Sequence, residues 1–400
     1  MLIRRTLVMV LASVVGCGSP QDESASPPDS SDAAVDAEAS VEASPEVAEA
    51  DVGDTLDAPS ARFSLHVAGN TLVDGAGTPL RLLGVNHSGT EYACIQGFAI
   101  FDGPADDALA ASIATWKANA VRVPLNEDCW LDLNGVKPEY GGATYRAAIQ
   151  AWVAKLHAHG LHAILELHWN APGTFPAKDQ QPMPDLDHSP EFWKSVATTF
   201  IDDPAVVFDL YNEPYVDKSN STASDPWACW RDGCTITVSR GGVSGSWKAA
   251  GMQLLVDTVR ATGAKQPIML GGLAYSNDLS GWLANMAKDP LSALVASYHL
   301  YNFNTCKTAT CWNAVLDPVS KKVPLVTGEL GEDDCKHDFV DGYMDWADAH
   351  GASYLGWTWN LWGSPTSTSC GSSKIILVAD WGGTPTPYGF GLKDRLSRLP

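Results

Sequence analysis

Basic residues are scarce in this chain: 26 Lys and Arg stand against 47 Asp and Glu in 400 residues, a formal net charge of −21 at pH 7. Phosphate backbones select Lys/Arg surfaces, so the balance argues against nucleic acid as a partner, and it leaves no basic patch for a membrane. The apolar run from Thr6 to Val15 is too short to cross a bilayer as a mature helix. No Gly-rich phosphate loop follows the first strand of the repeating pattern described below, which disfavours a doubly wound nucleotide fold. His-Glu-x-x-His and Gly-x-Ser-x-Gly are missing as well, which leaves a zinc hydrolase or an esterase without support. His157, His159 and His162 cluster in sequence, but they straddle a helix end and a strand start without an intervening Glu and read as ordinary structural residues.

What is present begins with Arg4 and Arg5 ahead of that apolar run, a signal-peptide pattern ending in Val14-Val15-Gly16-Cys17. The quartet resembles the lipobox of bacterial lipoproteins. The resemblance implies cleavage before Cys17, lipid on Cys17, and an exported protein anchored to the bacterial cell envelope or released from it. Residues 1–17 are then the signal and its lipidated Cys. Residues 18–60 hold twelve acids and no Lys or Arg among Ser, Pro and Ala, a composition that cannot collapse and reads as an extended tether. Residues 61–400 keep 35 acids and 24 bases, so the folded part is only mildly acidic.

Of nine cysteines, Cys17 is taken by lipid and eight remain, an even number behind an export signal. Disulfides follow, although eight cysteines allow on the order of a hundred pairings. The short spacings Cys229 to Cys234 and Cys306 to Cys311 would also suit zinc, but no finger-like His partners lie nearby. After a hairpin over 62–83, with turn chemistry at Asp74-Gly75 and Ala76-Gly77, strands and helices alternate. Strands are expected at 81–87, 121–126, 161–169, 206–214, 267–273, 294–301, 324–330 and 354–359. Helices fall at 106–120, 145–159, 190–201, 245–262, 279–288, 312–318 and 338–349, with a short terminal one at 393–399. Eight apolar strands, each followed by an amphipathic segment, predict an α/β fold, a (β/α)8 TIM barrel preceded by the hairpin.

In such a barrel, chemistry gathers at the carboxyl ends of the strands. Those ends carry Arg122, His168-Trp169, Asn212-Glu213, His299 and Tyr301, Glu329, and Trp357 to Asn360. All eight remaining cysteines follow strands too, so the bridges are expected to brace these loops. One carboxylate beside Arg122 and a Tyr hydroxyl stays ionised, while a second, facing that charge, holds a proton at working pH. Cleavage of a glycosidic bond needs this division of labour, and Trp and Tyr supply flat platforms for sugar rings. Glu166 lies two residues before His168, deeper in the barrel, and Asp209 lies inside strand four; both read as structural acids. Trp116, Trp152, Trp193 and Trp346 lie within helices and read as core, whereas Trp130, Trp169, Trp227, Trp230, Trp312, Trp362 and Trp381 follow strands as candidates for sugar contacts.

The ordered set Arg122, His168, Asn212-Glu213-Pro214, His299 with Tyr301, Glu329 and the late Trp resembles glycoside hydrolase family 5, the cellulase family, over about residues 62–400. Asn86 in Gly84-Val85-Asn86-His87 matches an early motif of that family. The resemblance implies a retaining double displacement with Glu213 as acid/base and Glu329 as nucleophile. It also implies that Asn212 bonds the sugar 2-hydroxyl, Tyr301 and Arg122 hold Glu329, His299 lies beside Glu213, and His168 lines the subsite next to the scissile bond. Trp359 is favoured over Trp357 as the platform, because Asn360 follows it, and Trp169 is a further binding candidate. The expected activity is an endo-β-1,4-glucanase; β-mannanase, xylanase or exo-β-glycosidase action, or a non-catalytic glycan-binding barrel, are the alternatives. No metal or cofactor is expected, the partner is a polysaccharide or oligosaccharide, membrane contact is through the lipid alone, and the chain is expected to be a monomer.

Overall fold

The computed structural model describes residues 63–218 and 223–399. The signal, Cys17 and the tether lie outside the described residues. A two-stranded antiparallel hairpin, β1 (Leu65–Ala68) and β2 (Thr71–Asp74), comes first. Its turn is Gly69-Asn70, with Gly69 at φ 64°, whereas Asp74 to Thr78 forms the following loop. The turn therefore sits one loop earlier than the Asp-Gly chemistry suggested; a left-handed Gly is what the tight connection requires.

Eight parallel strands then close a barrel. They are β3 (Leu83–Asn86), β4 (Ala120–Asn126), β5 (His162–Trp169), β6 (Val206–Asp209), β9 (Ile268–Gly271), β10 (Leu294–Tyr301), β11 (Leu325–Gly331) and β12 (Ser353–Gly356), with β12 pairing back to β3. Between β6 and β9 the chain inserts a second antiparallel hairpin, β7 (Thr235–Arg240) and β8 (Val243–Lys248). That hairpin replaces the amino-terminal part of the helix expected over 245–262; only Met252–Ala261 is helical. Its pattern was readable, since Ile236 and Val238 are buried between exposed neighbours and Gly241-Gly242 supplies the turn. Residues 279–288 form turns, not a helix, and there Gly281 packs so closely on Trp227 that a Cβ would lie 2.3 Å from the indole nitrogen.

Apolar side chains fill two places. The larger core lies between the strands and the surrounding helices, which bury Trp116, Trp152 and Trp193. A smaller one fills the amino-terminal end of the barrel, where Ile164, Val207, Met269, Val295, Val326 and Leu355 meet Leu65 and Leu72 of the hairpin. The hairpin therefore plugs the barrel floor, and each buried Leu contributes about 1.5–3 kcal/mol. With the floor closed, polar residues are left to the opposite rim. No helix among the described residues is long and apolar enough to cross a membrane.

Candidate active site

Arg122 is the centre of the rim. It leaves β4 fully buried, and its guanidinium donates from Nε to Asp209 (3.0 Å), from Nη1 to Glu329 Oε1 (3.0 Å) and Asn86 Oδ1 (3.2 Å), and from Nη2 to Asn212 Oδ1 (2.9 Å). Glu166 Oε1 lies 3.6 Å from Nη2. Burial alone would loosen the Arg122 proton, but Glu166, Asp209 and Glu329 more than reverse this and lock the cation. Asp209 is pushed up to about 7 by burial despite the opposing pull of Arg122. The expectation that Glu166 and Asp209 are structural acids fits this geometry, because both are sealed beneath the rim at 0% exposure.

Glu329 is aimed by a bulge. Between Tyr298 and His299 the β10–β11 register slips, so that Tyr298 faces Thr327 but His299 faces Glu329. The extra residue, Gly328, is tightly enclosed: a Cβ there would stand 3.0 Å from His299 Nε2 and 3.2 Å from Ser297 Oγ. Glu329 Oε1 takes the Arg122 bond, and Oε2 accepts from the Tyr301 hydroxyl at 2.6 Å. Burial, and then the charge of Glu329, push the Tyr301 hydroxyl well above the usual phenol range, so it remains a donor.

Glu213 sits just beyond β6, its side chain 17% exposed, and its Oε1 meets His299 Nδ1 at 2.9 Å. Burial raises its carboxyl to about 7, while burial lowers His299 to about 3 and keeps that ring neutral. One carboxylate oxygen of Glu213 lies within 4.8 Å of one of Glu329. The site therefore presents a buried acid that keeps its proton near neutrality beside a carboxylate pinned by an arginine and a phenol.

The family model for cellulase (glycosyl hydrolase family 5) matches residues 73–362. This chain belongs to glycosyl hydrolase family 5. Among its curated relatives, a mannan endo-1,4-beta-mannosidase of Streptomyces lividans is 25% identical over 84% of this chain and 80% of its own. Another of that name, from Salipaludibacillus agaradhaerens, is 23% identical over 80% of this chain and 86% of its own. Among solved structures, a beta-glucanase of Saccharophagus degradans superposes with a TM-score of 0.61 at 19% identity, over 84% of this chain and 95% of its own. The catalytic domain of a mannanase from a Streptomyces species gives 0.56 at 22% identity, over 86% and 93%. As a family 5 protein the chain is a glycoside hydrolase.

The remaining expected residues divide. Asn86, at the end of β3, pairs in register with Arg122 and donates to the Gly328 carbonyl at 2.8 Å, so it braces the centre from below. His168, on a second bulge between β4 and β5, bonds Glu166 through Nδ1 at 3.0 Å and approaches Asn212 Nδ2 through Nε2 at 3.4 Å. Burial opposes its protonation, but the adjacent Glu166 carboxylate wins and raises it to about 9. Trp169 is partly exposed and lies beside Tyr92, their ring centres 6.2 Å apart. The choice of Trp359 is overturned. It is 0% exposed and packs on Trp116 at 4.8 Å, behind the rim, where no sugar can reach it. Trp357 instead stacks on His168 at the rim, 5.6 Å and 14° from parallel. Among the tryptophans set aside as sugar contacts, Trp130, Trp230 and Trp312 are buried in the core.

Two residues were missed. Glu91, in the loop after β3, is buried and raised by that burial to about 7, with His168 pulling the other way. Gln180 donates to the Glu213 carbonyl at 2.8 Å. Trp362, one of the expected candidates, donates to Tyr92 Oη at 2.7 Å and to Asp102 at 3.1 Å, extending the aromatic wall from Trp357. Glu91 alone carried a signal, as an acid five residues past a strand-end Asn.

Among the described residues, two sets of side chains have spacing suited to a cation: Glu213, His299 and Glu329, and Glu127, Asp185 and His188. In the first, Arg122 and Tyr301 already donate to the two oxygens of Glu329, one each. In the second, Glu127 accepts from Ser189 (2.6 Å), and Asp185 accepts from Asn170 (2.9 Å) and the His188 amide (2.8 Å), which pins the loop after β5. All eight described cysteines pair: Cys94 with Cys129, Cys229 with Cys234, Cys306 with Cys311, and Cys335 with Cys370. Each bridge lies in the rim loops.

Proposed function

We propose that this protein is a retaining endo-β-1,4-glycanase, with Glu213 as acid/base and Glu329 as nucleophile. The observation that carries the reading is the close approach of the two carboxyl groups, whose oxygens come within 4.8 Å. Retaining enzymes hold the pair about 5–5.5 Å apart, whereas inverting enzymes leave about 6.5–9.5 Å for a water. Glu213 gives its proton to the departing glycosidic oxygen as a Glu329 oxygen bonds C1. The same Glu213 then takes a proton from the water that displaces Glu329. Arg122 holds Asn212 Oδ1, which leaves Nδ2, 3.4 Å from His168 Nε2, as the atom that donates to the sugar 2-hydroxyl.

For the substrate we place a β-1,4-mannan first, because the curated relatives are named mannan endo-1,4-beta-mannosidases. A β-1,4-glucan, the expectation from the motifs, is the second reading, supported by the likeness to a beta-glucanase solved with cellotetraose. The sequence pattern ending at Cys17 supports placing the enzyme on the cell envelope, with residues 18–60 as spacer.

The test is a panel of mannan, glucomannan, carboxymethylcellulose and xylan, with the anomer of the first-formed product followed by NMR. A β-product from mannan, lost in Glu329→Gln, is the expected result. An α-product, or near-normal hydrolysis by Glu329→Gln, would overturn the mechanism.

A further inference from the structure

Of the eight barrel strands, β9 ends in no residue of the site, and the chain leaves it in an unusual way. After Gly271-Gly272, three consecutive non-glycine residues, Ala274, Tyr275 and Ser276, adopt left-handed backbone angles, φ 57°, 63° and 56°. In that region Cβ crowds the following carbonyl, so L-residues enter it singly and seldom in a run. Such a turn persists only where its surroundings over-determine it.

They do so from two sides. Toward β6, Ser276 Oγ donates to the Asn212 carbonyl (2.9 Å), the Tyr275 amide to the Pro214 carbonyl (3.0 Å) and the Ala274 amide to Asp217 Oδ1 (3.1 Å). Tyr275 also stacks on Tyr215 at 4.5 Å. Toward β10, the next residue, Asn277, donates to the His299 carbonyl (2.9 Å) and the Tyr298 hydroxyl (2.8 Å), and accepts from the Cys306 amide (3.0 Å). Gly271 makes the approach possible, since a Cβ there would stand 2.4 Å from Ser276 Oγ. The turn thus grips the backbone on both sides of Glu213 and the backbone of His299, whose side chains meet at 2.9 Å.

We infer that the left-handed turn at Ala274–Ser276, with Asn277, is the positioning element of the general acid: it sets Glu213 against His299 by clamping the ends of β6 and β10 together. Ser276 and Asn277 touch no substrate in this scheme; they act through Glu213. The inference rests on Glu213 being the acid/base.

The experiment compares substrates that differ in their need for that acid. An unsubstituted oligosaccharide leaves only when protonated; a 2,4-dinitrophenyl glycoside leaves without help. Mannohexaose and cellohexaose are offered to the full-length wild-type enzyme, with the 2,4-dinitrophenyl β-glycoside of the matching disaccharide. In Ser276→Ala, kcat/KM on the hexaose is expected to fall about tenfold or more and on the aryl glycoside less than about twofold. Equal losses on both substrates in a variant that keeps its melting transition, or no loss on either, would overturn the inference. If Ser276→Ala loses its melting transition, Asn277→Ala must show the same split, and failure there also overturns it. A wild-type enzyme inert on both hexaoses and both aryl glycosides would instead count against the glycanase reading itself.

Discussion

Replacing Arg122 by methionine removes the cation that three buried carboxylates share. Glu166 and Asp209 are fully enclosed and Glu329 nearly so, and the guanidinium lies 3.6, 3.0 and 3.0 Å from them. Breaking a buried ion pair costs about 3–5 kcal/mol, because the surviving charge is stranded in a dry site. With an unfolding entropy of about 2.1 cal/mol/K per residue over about 340 residues, that loss lowers Tm by about 4–7 °C. The size of the loss depends on pH with a definite sign. Asp209 is an acid whose folded pKa, about 7, lies above its usual value of 3.8, so its contribution to stability is greatest below that usual value and is lost as pH rises toward 7. Removing Arg122 removes the interaction that had been lowering it, which widens the window. Arg122→Met should therefore be nearer to wild type in Tm at pH 5 than at pH 8. Activity falls independently, since the charge-assisted bond to Glu329 alone is worth about 1.5–3 kcal/mol, or about 10- to 150-fold in kcat/KM. Differential scanning calorimetry at the two pH values, with kcat/KM on the accepted glycan, measures both. A Tm within about 1 °C of wild type at pH 8, or a loss that grows as pH falls, would refute the reasoning.

The remaining predictions concern the acid and the two tryptophans. Glu213 enters the first step in its neutral form and is raised by burial to about 7, so the alkaline limb of kcat/KM should decline about tenfold per unit above pH 7, with a separate acid limb where the Glu329 nucleophile is protonated; a profile flat from pH 7 to pH 9 would remove Glu213 from the role of acid. Trp357→Ala, at a ring only 7% exposed and stacked on His168, should lower both Tm and kcat/KM, the latter about tenfold or more. Trp359→Ala, emptying a packed site against Trp116, should cost about 3–5 kcal/mol of stability, and thermal melts beside activity assays separate the two.

Why Trp357 and not Trp359 faces the cleft shows where sequence reasoning stops. Two residues apart, both would point the same way on a continuing strand, and Asn360 was the only tie-breaker. The strand ends at Gly356, however, and Thr358 bonds to the Ile375 carbonyl outside the barrel, so period-two alternation no longer applies. Strand positions were legible because the barrel wall is apolar on both faces, as the fully buried β4 and β10 illustrate. The acids and His299 were legible because strand ends carry them in order. Bulges were not: the slip that brings Glu329 opposite His299 depends on a glycine whose neighbours come from other strands. Nor was the turn after β9, since Ala-Tyr-Ser has no left-handed preference of its own, and contacts with Asn212 and Pro214 impose the conformation.

The bridges, considered as connections and not as braces, divide the molecule's assembly in an informative way. Cys94–Cys129 joins the loops after β3 and β4, Cys335–Cys370 joins those after β11 and β12, and the other two span five residues each. None crosses the seam where β12 meets β3. Every thiol can therefore find its partner on a chain whose barrel is still open, by closing short loops of modest entropic cost. Closing the ring is left to non-covalent contacts: Tyr354 to Gly356 paired with Leu83 to Val85, the Trp359 amide on the Asn86 carbonyl, and Asn360 on Ser88. Oxidation can run to completion without committing the barrel to closure, so a correctly bridged chain is not yet a folded one.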